Sequence, residues 1–96
     1  MFNIPKELTD YAEKFDNIDF IAAGGGCDYI YRMLTHKECI IAAIDDACSP
    51  DALDDPCLLM IFDCDEDPHW LKGVAIEFKS TKKAIKALST MIDFKH

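Results

Sequence analysis

Leu8, Tyr11, Ala12 and Phe15 recur at i, i+3, i+4 and i+7, a spacing that puts all four on one face of a helix. Pro5 suits a first helical position, so the pattern predicts a helix over Pro5–Asp16. The period then changes. Two β-rich runs, Ile18–Ala23 and Cys27–Leu34, flank Gly24, Gly25 and Gly26, which is a hairpin signal because glycine reaches positive φ without a steric penalty. "THKE" marks a second turn, "ECIIAAID" a third strand, and "LLMIFD" and "WLKGVAIEF" a fourth and fifth. In the fifth, Trp70, Val74, Ile76 and Phe78 share one face. "DDACSPDALDDP" separates strands three and four. There Ser49 can cap and Pro50 can open a single helical turn over Pro50–Asp54, with Asp51 at its positive end and Pro56 as its stop. The last element is a helix from Ser80 or Thr81 to about residue 93, striped by Ala84, Ile85, Leu88, Met91 and Ile92.

The order is therefore α–β–β–β–β–β–α. Most connections are too short for a helical crossover. The expected fold class is α+β: a mainly antiparallel sheet of four to five strands, with the N- and C-terminal helices packed on one face. Residues 1–96 form one domain, large enough for a single modest core.

Charge sharpens this picture. There are 18 acids against 10 bases, a net charge of −8. Nucleic acid and anionic membrane are poor direct partners for such a chain, since affinity for them rests on Lys and Arg. The apolar runs are too short for a signal peptide or a membrane span, and a reducing cytoplasm is expected. The five cysteines are read the same way. Cys27, Cys39, Cys57 and Cys64 fall in strand-like runs as small buried hydrophobes, and Cys48 lies in a loop as the most reactive thiol. Were there a bridge, Cys48 with Cys57 would be its expected pair.

Chemical motifs fail one by one. The three glycines lack the Lys-Ser/Thr of a phosphate loop and precede a strand. "DCDEDPHW" opens like a calcium loop from Asp63, but Pro68 and Val74 stand where Gly and Glu are required. No C-x-x-C occurs, and Cys64 with His69 would supply only two of four zinc ligands. Cys48 with His36 or His69 has no local nucleophile signature. The reading is a non-catalytic protein with no cofactor and no metal.

What stands out is "DDACSPDALDDPCLLMIFDCDEDPHW". Asp45, Asp46, Asp51, Asp54, Asp55, Asp63, Asp65, Glu66 and Asp67 crowd into it without a Lys or Arg. From Glu38 to Leu71 there are ten acids and no bases, while the other 62 residues hold eight acids and ten bases. Solubility alone would allow interspersed lysines that relieve the self-repulsion. The nine acids are thus expected to form a binding surface that imitates a row of phosphates before a basic partner, such as a nuclease or a nucleic-acid-binding complex. In size and charge the chain resembles, as a class, phage-encoded inhibitors of host defence such as anti-CRISPR proteins, and immunity proteins that neutralise nuclease toxins. The alternative is a structural or regulatory module that forms a homodimer through "IDFIAA", an edge strand with few charges to blunt it.

Overall fold

The computed structural model describes residues 3–22, 26–45, 48–63 and 73–91. Its elements are α1 (Lys6–Ala12), β1 (Asp19–Ala22), β2 (Asp28–Met33), β3 (Lys37–Ala43), β4 (Cys57–Asp63), β5 (Gly73–Phe78) and α2 (Thr81–Thr90). The strands form one sheet in chain order, and each neighbouring pair is antiparallel. The α+β order and the antiparallel meander are those expected.

Residues paired across an antiparallel ladder share a face. The register Ile30–Ile41–Leu59–Ile76, with Arg32–Cys39–Ile61–Val74 beside it, defines one such face. Ile30, Cys39, Ile41, Cys57 and Leu59 are buried there against Leu8 and Ala12 of α1 and Ala84, Ile85 and Leu88 of α2. Helix α2 packs on β3, β4 and β5, and α1 packs on α2, so both helices occupy this side.

Helix α2 is held at both ends. A helix leaves its first N–H groups and last carbonyls without internal partners. Here the N–H groups of Thr81 and Lys82 donate to the carbonyls of Asp55 and Leu53, and that of Lys83 donates to Ser80 Oγ. At the other end Arg32, the chain's single arginine, donates from Nη1 to the carbonyls of Leu88 at 2.8 Å and Met91 at 2.7 Å. Its positive charge also suits the negative end of the helix dipole.

Several local expectations change. Helix α1 ends at Ala12 rather than Asp16. The N–H groups of Lys14 and Phe15 then bond three residues back, to Tyr11 and Ala12, a tighter turn that still packs Phe15 on the core. Pro5 caps α1 with an extended ψ of 137° and is not its first helical residue. Pro50–Asp54 is no helical turn, and Ser49 caps nothing. Its Oγ donates to the Asp28 carbonyl. Within the segment the Asp55 N–H donates to the Ala52 carbonyl in a single tight turn, and the carbonyls of Leu53 and Asp55 go to α2. Asp51 therefore loses its expected place at a helical N-terminus.

The cysteine reading is corrected too. Cys27 and Cys48 form a disulfide, with Cα atoms 5.0 Å apart. Antiparallel pairing of β2 with β3 brings the start of β2 to the end of β3, which is where these two residues lie. The N–H of Ala43 donates to the Cys48 carbonyl and fixes the approach. Cys48 with Cys57 cannot form, since Cys57 is paired with Ala43 in the ladder and buried in the core. Cys39 and Cys57 are buried thiols outside the disulfide, as expected. Cys64, Trp70, Ile92 and two of the three hairpin glycines lie outside the described residues. The cysteines thus no longer point to a reducing compartment. Among the described residues no helix is long and apolar enough to cross a membrane.

Candidate functional site

The sheet has a second face. Register places Ile21 on it from β1, Tyr29, Tyr31 and Met33 from β2, Ile40 and Ala42 from β3, Leu58, Met60 and Phe62 from β4, and Ala75 from β5. Both described helices lie on the other side, and the burial along β4 differs between the two faces. Along β4, Cys57 and Leu59 are buried while Leu58, Met60 and Phe62 are only half-buried. Of the ten, Ala42 alone is buried, and Met33 is 47% exposed. The Phe62 ring lies so close over Gly73 that an added Cβ there would stand 2.9 Å from it.

Four steps of roughly 4.8 Å between strands, and six residues of roughly 3.3 Å along them, give this face about 400 Å2 in projection. That is comparable with the largest apolar patch of an ordinary monomer, often a functional one. On the described strands its charged groups are few and of one sign. Asp19, opposite Tyr31, Glu38, opposite Phe62, and Glu77, opposite Leu58, stand around the perimeter. Lys37 and Arg32, the cations of the described strands, project to the helix side with Asp63 and Cys39 as their ladder partners.

The nine acids singled out in the sequence do not come together as one described surface. Asp45, Asp51 and Asp54 are exposed and Asp55 is half-buried, all four in the connection from β3 to β4. Asp45, Asp51 and Asp55 line a shallow depression of about 230 Å3 with Ala43, Ile44, Pro50 and Pro56. The segment that carries them is tied down by its backbone, through α2 and through the Leu53 N–H, which donates to Glu7 Oε2 at 2.9 Å. Asp63 is at the far end of β4, where it meets Lys37 at 3.5 Å. That pairing joins strands distant in sequence, so one of the nine has a counter-charge that the local count missed. Asp46, Asp65, Glu66 and Asp67 lie outside the described residues.

The residues of the open face went unnoticed in the sequence, although a signal for them was there. "CIIAA" and "CLLMIF" are apolar at every position, not at alternate ones. A strand apolar on both parities has two apolar faces, and two terminal helices on one side cover only one.

Among the described residues no three His, Cys, Asp or Glu side chains converge on a metal position. Burial pushes the Cys57 thiol up, and its hydrogen bond with Thr81 partly offsets this. A thiol held protonated inside the core is a poor nucleophile. Comparison with protein-family models, with curated proteins and with solved structures finds no match to this chain.

Proposed function

We propose that this chain is a small non-catalytic inhibitor that binds a basic protein, one whose own ligand is nucleic acid. The open sheet face is its contact surface and the acidic ends steer the approach. The observation that carries the reading is the composition of that face: an apolar centre of Ile40, Leu58, Met60 and Tyr31, whose only charged neighbours on the described strands are acids. The apolar centre supplies burial and hence residence time. The carboxylates supply long-range attraction and reject acidic competitors. Phosphate-binding grooves carry the complementary pattern of Lys and Arg, so a protein that occupies one would displace its nucleic acid.

Two variants test this with separate signatures. Met60→Lys puts a positive charge at the centre of the contact surface and should abolish retention of the basic partner on immobilised protein at any salt. Asp45, Asp51, Asp54 and Asp55, replaced together by Asn, should slow association by tenfold or more at low salt and leave dissociation nearly unchanged. Equal capture of the same basic proteins by the parent and Met60→Lys would sink the proposal.

A further inference from the structure

The geometry points to a second contact surface, distinct from the open face: the outer edge of β5, which pairs with β5 of another copy of this chain. β5 is an edge strand. Five of its six residues are exposed. Val74 is 60% exposed and Ile76 45%, although both stand on the helix side, opposite Ile61 and Leu59. The apolar layer of the core thus runs out to the edge of the sheet and stops uncovered among the described residues. β1, the other edge and the one expected to dimerise, is only four residues long and begins with Asp19. It offers less ladder and a charge at its end.

The strand is complementary to itself in one register. Directly opposed residues must project to the same face, so an antiparallel pair of identical strands can centre only on a residue, not between two. Centred on Glu77, the two carboxylates would oppose each other. Centred on Ile76, they would lie one diagonal step apart. Centred on Ala75, the pairing sets Val74 against Ile76 twice, the two exposed apolar residues each covering the other. It puts Glu77 opposite Gly73 and holds the two Glu77 carboxylates about four residues of strand length, roughly 13 Å, apart. This register uses residues 73–77 and places the small Ala75 on the two-fold axis. Such an axis runs perpendicular to the sheet and makes an isologous dimer. Both open faces then look the same way, so one dimer presents two copies of the partner surface side by side.

The test is a pair of cysteine variants in a Cys64→Ser background, with mass by analytical ultracentrifugation. The background protein should sediment as a dimer at about 100 μM, in low and high salt alike, because the contact is apolar and main-chain. Val74→Lys with Ile76→Lys changes two exposed side chains, so it should keep the parent circular dichroism and sediment as a monomer. Ala75→Cys should cross-link to itself at least tenfold faster than Glu77→Cys. A background protein that stays monomeric at millimolar concentration overturns the inference, and so does cross-linking of Glu77→Cys as fast as Ala75→Cys. The Val74→Lys, Ile76→Lys protein keeps Met60 and the acids of the open face, so its loss of the dimer is separable from loss of partner binding.

Discussion

Leu59 and Met60 are neighbours on β4 and project to opposite faces of the sheet. Leu59 is 2% exposed under the helices, while Met60 is half-buried on the open side. Replacing each by Ala removes a similar side chain from two different solvents. At Leu59 the loss is the transfer energy plus a cavity that α2 cannot fill, about 3 kcal/mol within the usual 2–5 range. At Met60 part of the side chain is already in water and water fills the gap, so the loss is a fraction of a full burial, about 1 kcal/mol or less. A domain of this length has a total stability of roughly 5–14 kcal/mol, so the first change is severe and the second mild. Equilibrium urea unfolding reads the difference. With an m-value of about 1.5 kcal/mol/M, the midpoint should fall by about 2 M for Leu59→Ala and by no more than about 0.7 M for Met60→Ala. Equal falls would mean that the second face is covered and is no contact surface.

Three further outcomes follow from the same packing. Arg32→Met should destabilise the protein by about 2–3 kcal/mol, since it removes charged hydrogen bonds to two C-terminal carbonyls of α2; thermal unfolding of the variant reads this directly, and a loss below about 0.5 kcal/mol would show those carbonyls satisfied without it. Reducing Cys27–Cys48, a bridge across a sequence separation of 21, should cost about 3 kcal/mol by chain entropy, seen as a lower urea midpoint in reductant that a Cys27→Ser, Cys48→Ser protein does not show. Burial raises the Cys57 thiol, so the folded chain keeps a proton that the unfolded chain loses above about pH 9. Its contribution to stability is complete below that pH and is lost as pH rises further, so stability should fall more steeply from pH 9 upward in the parent than in Cys57→Ala, and identical slopes would count against it.

The periodic elements were legible in the sequence because their apolar spacing changes from 3.6 to 2 and back. Ala84, Ile85 and Leu88 form the buried stripe that this spacing implies. The connection between β3 and β4 was not legible, because its shape is set from outside. Leu53 and Asp55 spend their carbonyls on the N-terminus of α2, a partner some 26 residues away, and no local cap signal reports that. The disulfide was missed for a similar reason: Cys27 and Cys48 look unrelated until the β2–β3 register sets them side by side. In the candidate site the acids dominate the charge pattern, but the more telling pattern is the unbroken apolar run in β4, whose second face neither described helix covers.

We propose that the open face receives a partner that is apolar at its centre and basic at its border. The most direct test is a titration of the isotopically labelled protein with a synthetic amphipathic helix bearing a Leu stripe flanked by Lys, followed by amide chemical shifts at low and moderate salt. Saturable shifts are expected at Tyr31, Ile40, Leu58 and Met60, weakened by salt, with none from the twin peptide in which Glu replaces every Lys. Shifts confined to the helix side, or equal binding of the acidic twin, would contradict it.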